Sequence, residues 1–131
     1  MTRLVNRDRS LEELERDRWP SPSGEETRLM ATVRELRRKP IGDLTVEGLR
    51  VLIGQNVGLA CLLPLAVEIL GGNPFAEGDM YEGDLLAGVL ARHEEVWAAF
   101  PELRLELRAV VSDMADVPTP IKHDVEGFLA K

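Results

Sequence analysis

The segment from residue 45 to residue 70 most constrains the fold, because it is almost entirely apolar. It contains only three charged side chains, Glu47, Arg50 and Glu68, and its stretch 57–67 (VGLACLLPLAV) contains none. That stretch is much shorter than the ~20 residues that a helix needs to cross a bilayer, so it belongs in a protein core. A chain of 131 residues is the size of one domain. We therefore predict a single domain over residues 1–131, built around this segment.

The composition favours helices over strands. Only six residues are aromatic, so Leu, Val, Ile and Ala must fill most of the core. Apolar residues also recur at helical spacing, as at Leu29, Val33 and Leu36. Periodicity alone does not separate a buried helix from a buried strand over residues 57–63, but no partner strand is evident. We predict an all-α fold: a single compact multi-helix domain of about six to eight helices.

Capping residues predict where the helices begin. Ser10 and Ser23 each precede a glutamate by three residues, which is the capping-box pattern, and a linker covers residues 20–24. Thr45 and Asp84 are suitable N-caps for helices over residues 46–55 and 85–92. Pro101 is well placed as the first residue of the next helix.

Glycine, proline and basic residues predict where the helices end. Gly71 and Gly72 favour a left-handed cap after residue 70, and Pro64 predicts a kink or a new first turn. The triplet 37–39 (RRK) ends the second helix, where three cations complement the helix dipole on a solvated face. A phosphate-binding patch is the alternative for this triplet.

The charge of the chain is acidic and unevenly distributed. The net charge is −7, and residues 40–131 carry six basic against fifteen acidic side chains. Such a body is repelled by nucleic acid and by anionic membranes, and attracted to basic proteins. We expect a protein partner with a basic surface, no nucleic acid or membrane partner, and a monomer or weak homodimer.

The sequence carries no recognisable catalytic or cofactor-binding motif. Cys61 is the only cysteine, and His93 and His123 have no ligand partner at helical spacing except carboxylates. The charged N-terminus lacks the apolar core of an export signal. We therefore expect a cytoplasmic protein that is not an enzyme and needs no cofactor.

The acidic loop, which we define as residues 77–84 (EGDMYEGD), is the candidate functional site. It admits four interpretations: a calcium- or metal-binding loop, an acid–base pair of Asp79 and Asp84, a turn whose acids cap backbone N–H groups, or a protein-binding surface. We favour the last, because carboxylates around an aromatic residue suit a basic partner. The predicted partner-binding residues are Asp43, Glu47, Glu77, Asp79, Tyr81, Glu82 and Asp84.

Several stretches of the chain resemble contact-dependent growth inhibition immunity proteins. The resemblance covers roughly residues 10–100 and rests on 11–15 (LEELE) with Trp19, 44–50 (LTVEGLR), 53–59 (IGQNVGL), 63–66 (LPLA), 73–74 (NP) and 77–86 (EGDMYEGDLL). The sequence departs from the family pattern at Gly48, where an acid is usual, and at Glu82, where a proline is usual. The resemblance implies a cytosolic, non-enzymatic protein that binds and blocks a cognate toxin domain, often a nuclease with a basic active site.

Overall fold

Eight α-helices and one 3₁₀ turn account for the regular structure of the residues that the computed structural model describes, which are 6–19, 24 and 26–130, and no strand occurs among them. The predicted all-α fold is confirmed. The helices are α1 (Leu11–Glu15), α2 (Arg28–Leu36), α3 (Val46–Gly54), α4 (Leu59–Gly72), α5 (Asp84–Leu90), α6 (Glu94–Ala99), α7 (Pro101–Ser112) and α8 (Thr119–Leu129), and the 3₁₀ turn is Ile41–Asp43.

The apolar segment forms the centre of the fold as two helices, α3 and α4. α3 packs against α2, α4 and α5, whereas α4 packs mainly against α7, and α8 closes the core against α5 and α7. Leu52 and Ile53 of α3 and Leu62 and Leu63 of α4 are fully buried, as the sequence predicted. The strand alternative for residues 57–63 is wrong. None of the described helices combines the length and the apolar character that crossing a membrane requires.

Most of the predicted helix starts are confirmed. Ser10 Oγ accepts a hydrogen bond from the backbone N–H of Glu13, whose carboxylate accepts one from Ser10 N–H. Thr45 caps α3, and Pro101 is the first residue of α7. The predicted cap at Ser23 and most of the predicted linker lie outside the described residues. The second helix begins at Arg28 instead, with Thr27 as its N-cap.

The predicted end of α4 and the predicted break at Pro64 differ from the structure. α4 continues through Gly72 and ends at Asn73 in an extended conformation (φ −155°), so neither Gly71 nor Gly72 forms a left-handed cap. The same helix runs without interruption past Pro64, which therefore does not open a new helix. Pro64 lacks the N–H that would bond the carbonyl of Ala60, but Ala60 is exposed and water can reach it.

The N-terminal arm, residues 7–19, is fastened to the end of α2. The backbone N–H of Glu12 donates to the carbonyl of Arg37, and those of Ile41 and Gly42 donate to residues 9 and 7. Side by side, these bonds fix the arm to residues 37–42. This pairing was not predictable from local sequence patterns, because it joins two irregular stretches that are far apart along the chain.

Arg37 is buried beneath the N-terminal arm, which corrects the prediction of a solvated basic triplet. Its side chain is 1% exposed, and Nη2 donates to Glu15 Oε1 at 3.0 Å and to the carbonyl of Asp17 at 2.8 Å. The guanidinium also lies 4.4 Å from the ring centroid of Trp19, within cation–π distance. Only Arg38 and Lys39 of the triplet face solvent.

Leu29 is exposed although its spacing predicted a core position. Val33 of the same stripe on α2 is buried, and Leu36 is partly buried against the core. Leu29, one turn nearer the start of the helix, has 43% of its surface exposed, and its neighbour Met30 has 39%. The first turn of α2 therefore presents apolar surface that the other described residues do not cover fully.

Candidate functional site

The acidic loop connects α4 to α5 and rests on the first turn of α3. Glu77, Asp79, Tyr81 and Glu82 are exposed, whereas Asp84 is 3% exposed. The loop therefore has a rim of side chains that face solvent and a base that faces the protein. The predicted set of residues divides between these two positions.

Asp84 forms the base of the loop and does not belong to its exposed surface. Its Oδ1 accepts a hydrogen bond from Gly78 N–H at 2.6 Å, and its Oδ2 accepts bonds from Met80 N–H at 2.9 Å and Tyr81 N–H at 3.3 Å. Three backbone donors within four residues of chain are thus bound to one carboxylate. This arrangement corresponds to the interpretation of the loop as a capped turn, as far as Asp84 is concerned.

The N-cap of α5 is Gly83, which corrects the prediction that Asp84 occupies that position. Gly83 has a left-handed backbone (φ +86°), and a Cβ there would lie 2.9 Å from Ile121 Cδ1 of α8. Glycine fits both demands. Asp84 then becomes the first helical residue, where a carboxylate is stabilised by the helix dipole.

Glu47 joins the loop to α3. Its Oε1 accepts a hydrogen bond from Asp79 N–H at 2.9 Å and another from Arg50 Nε at 2.6 Å. The hydrogen bond from the Arg50 guanidinium, followed by the Asp79 N–H, holds the pKa of Glu47 below its usual value. Arg50 also lies 3.8 Å from Asp84 Oδ2, so one cation serves both carboxylates at the base.

Gly78 lies where the loop crosses these two carboxylates. A Cβ added to Gly78 would stand 2.5 Å from Glu47 Oε1 and 3.2 Å from Asp84 Oδ2. Real side chains do not tolerate the first of these contacts. A side chain at this position therefore fits only if Glu47 Oε1 moves away from its hydrogen bonds with Arg50 and Asp79 N–H.

We expect Gly78→Ala to destabilise the protein by about 1–3 kcal/mol, the usual cost of overpacking a well-packed site. The added methyl group displaces Glu47 and weakens its bonds to Arg50 and Asp79 N–H. Urea unfolding measures the change. Gly71→Ala is the control, because a Cβ there meets nothing within 4 Å. Equal midpoints for the two variants would contradict the close contact.

The rim of the loop carries three carboxylates, one of which, Asp79, interacts with Arg50 at a distance longer than an ion pair. Among the described residues, no basic side chain forms an ion pair with Glu77, Asp79 or Glu82. Tyr81 is 38% exposed beside them. Asp43, also exposed, lies in the 3₁₀ turn, and no hydrogen bond or ion pair of the described chain joins it to the loop.

Met80 is an exposed residue of the loop that the sequence analysis passed over. It is 65% exposed, among the most exposed large apolar residues that the structure describes. Met80 lies between Asp79 and Tyr81, and the prediction from the sequence rested on the charged and aromatic residues alone. With Tyr81 it gives the rim an apolar component next to the carboxylates.

The other titratable groups that the structure describes do not form a metal site. In the described ranges, no group of three or more His, Cys, Asp or Glu side chains is placed to hold a metal ion. His93 caps α6, its Nδ1 accepting from Glu95 N–H. Burial raises the pKa of the partly buried Cys61 thiol and so keeps it protonated.

The chain matches a sequence model of one protein family. The model is described as CDI immunity proteins, where CDI stands for contact-dependent growth inhibition, and the match covers residues 13–107. This range includes α2 to α6, most of α7 and the whole acidic loop. A comparison with curated proteins gave no match.

Proposed function

The chain belongs to the CDI immunity proteins, and on that premise we propose that it neutralises a cognate toxin domain by binding it through the rim of the acidic loop. Membership of the family implies a toxin as the partner. The contact surface, and a nuclease as the class of toxin, are our proposals. Neutralisation of this kind acts by binding and requires no catalytic residue in the immunity protein.

The observation that carries this proposal is the fixed backbone beneath the exposed rim. Asp84 and Glu47 together bind four backbone N–H groups, those of residues 78, 79, 80 and 81. A loop held in this way loses little conformational entropy when a partner binds. Preorganisation of this kind favours tight association, because less of the interaction energy is spent on ordering the loop.

The chemistry of the rim suits a basic cleft. Glu77, Asp79 and Glu82 offer three carboxylates that form no ion pair with any described residue, and Tyr81 and Met80 supply apolar contact area beside them. A nuclease active site is basic because it holds phosphates, so these carboxylates are able to take the place of the nucleic acid. The net charge of −7 also attracts a cationic toxin over distance and speeds capture.

The test is a binding titration with the C-terminal domain encoded by the reading frame next to the gene for this chain. We expect the double variant Asp79→Lys with Glu82→Lys to bind this domain about 100-fold more weakly at low salt, because rim charges govern association with a charged partner. Its affinity should also fall less than that of the wild type between about 0.1 M and 1 M salt.

The matched control changes the same net charge elsewhere. Asp113→Lys with Glu126→Lys alters two exposed acids, one at the end of α7 and one on α8. We expect this pair to lose much less affinity. Equal losses for the two double variants would show that only overall charge matters, and would remove the acidic loop from the proposal. A nucleic-acid degradation assay with the same domain tests the nuclease assignment separately.

A further inference from the structure

A groove of about 510 Å³ runs between α2 and α3 and ends at the acidic loop. Its volume is within the range of about 300–1,000 Å³ that is typical of ligand pockets. Leu29 and Leu36 line it from α2, and Gly48 and Val51 line it from α3. The residue that closes its end is Asp79, an exposed residue of the rim.

The groove is apolar because only part of the apolar stripe of α2 packs into the core. Val33 and Leu36 pack towards the core, but nothing in the described chain covers Leu29. Gly48 lines the groove opposite, with Leu36 packed close to it. A large apolar side chain left at 43% exposure beside a cavity is typical of a surface that another molecule covers.

The charged residues that line the groove indicate what kind of group can bind in it. Asp79 offers a carboxylate that forms no ion pair within the described chain, whereas the charge of Glu47 is already shared with Arg50. Arg28 also lines the groove, next to Leu29. An apolar group that enters the groove can therefore carry a cation next to it on the Asp79 side. A second copy of this acidic chain would instead bring its own net charge of −7 to the same place.

We propose that this groove is a second part of the toxin-binding surface, and that it takes an apolar side chain of the toxin whose neighbouring Lys or Arg pairs with Asp79. This inference rests on the proposed function. On this proposal, Asp79 takes part in two contacts with the toxin, one with its basic cleft and one with an amphipathic, basic segment beside that cleft. Leu29 supplies the apolar anchor, which matches the rule that few buried contacts carry most of the binding energy.

The test compares Leu29→Asp with Leu105→Asp, using as probe the toxin domain encoded next to this chain, inactivated in its active site. Both residues are exposed leucines, and Leu105 lies on α7, which packs mainly against α4, α6 and α8. Each variant adds one negative charge, which by electrostatics alone favours a basic partner. We expect Leu29→Asp nevertheless to bind about 10–100-fold more weakly, as truncated hot-spot contacts do, and Leu105→Asp to keep wild-type affinity.

A second variant, Thr32→Trp, fills the groove from α2 without adding charge. We expect a loss of affinity similar to that of Leu29→Asp, with the same dependence on salt as the wild type. Thermal melts check that each variant is folded. In a double-mutant cycle, Leu29→Asp and Asp79→Asn should show non-additive losses, because they remove adjacent contacts to one toxin segment.

The outcomes separate the two proposals. If the wild type binds and both groove variants bind as Leu105→Asp does, the groove is excluded while the acidic loop stands. If the wild type does not bind the toxin domain, both proposals fail. If Leu29→Asp changes the mass by light scattering of the chain alone, from a dimer to a monomer, the groove covers a second copy and our assignment of the occupant is overturned.

Discussion

Replacing Arg37 with alanine is expected to lower the free energy of unfolding by about 3 kcal/mol, at the lower end of the range for breaking a buried ion pair. Arg37 is enclosed by the N-terminal arm, and its removal leaves a cavity under Trp19. It also leaves the carboxylate of Glu12, which is 12% exposed, without its nearest buried cation. We expect a loss at the lower end of that range because the other two carboxylates near Arg37, those of Glu15 and Asp17, are accessible to water. Urea unfolding measures the loss.

Arg38→Ala is the matched control for this prediction. Arg38 is the next residue, carries the same charge and lies 3.7 Å from the same Glu12, but its side chain is 54% exposed. We expect it to cost about 0–1 kcal/mol, as exposed ion pairs do. Similar losses for the two variants would mean that the arm is held by overall charge and not by the buried guanidinium. Protease sensitivity of residues 7–19 should rise only in Arg37→Ala.

Replacing Asp84 with alanine is expected to cost about 2–4 kcal/mol, since it removes a charged acceptor shared by three backbone N–H groups. The N–H groups of Met80 and Tyr81, which are exposed residues, can form hydrogen bonds with water instead. The expected loss of stability is therefore smaller than that of three fully buried hydrogen bonds. Arg50 also loses one of its two carboxylates. Urea unfolding measures the total, and amide hydrogen exchange at Gly78, Met80 and Tyr81 should quicken.

Two further variants sharpen this prediction. Asp84→Asn keeps an acceptor oxygen but loses the charge and one acceptor, so we expect an intermediate loss. Asp79→Ala removes an exposed acid of the same loop, and its stability should stay within about 0.5 kcal/mol of the wild type. Toxin binding should weaken in both Asp84→Ala and Asp79→Ala, but only the first should lose stability. Unchanged hydrogen exchange in Asp84→Ala would contradict the role of Asp84 as the base of the loop.

The helices were largely predictable from the sequence because their signals are local. The capping box at Ser10, the N-cap at Thr45 and the proline that opens α7 each depend on a few neighbouring residues. Burial of α3 and α4 followed from the apolar segment alone. By contrast, Arg37 shows the limit of local reasoning: three consecutive cations indicate a solvated face until an arm twenty residues earlier folds over the first of them.

The position of the acidic loop was predictable from the sequence, but the separation of its carboxylates into an exposed rim and a buried base was not. Charge alone placed Glu47 and Asp84 with the rim residues, because a sequence does not reveal which carboxylates bind backbone N–H groups. Gly78 gave no usual turn signal, since its requirement comes from the crowding by Glu47 and Asp84. For Leu29 the prediction was wrong in the other direction. Its helical spacing is that of a core residue, but its side chain is exposed.

The way in which Asp84 holds the loop has a consequence for how such a protein can change its target. The donors that it binds are main-chain groups of residues 78, 80 and 81, which every amino acid except proline supplies. Side chains at 80, 81 and 82 can therefore be exchanged while the support beneath them stays intact. Even a proline at 82 removes no donor from Asp84. The exposed rim can therefore change its side chains at low cost to the stability of the fold, which suits the proposed role in binding a toxin.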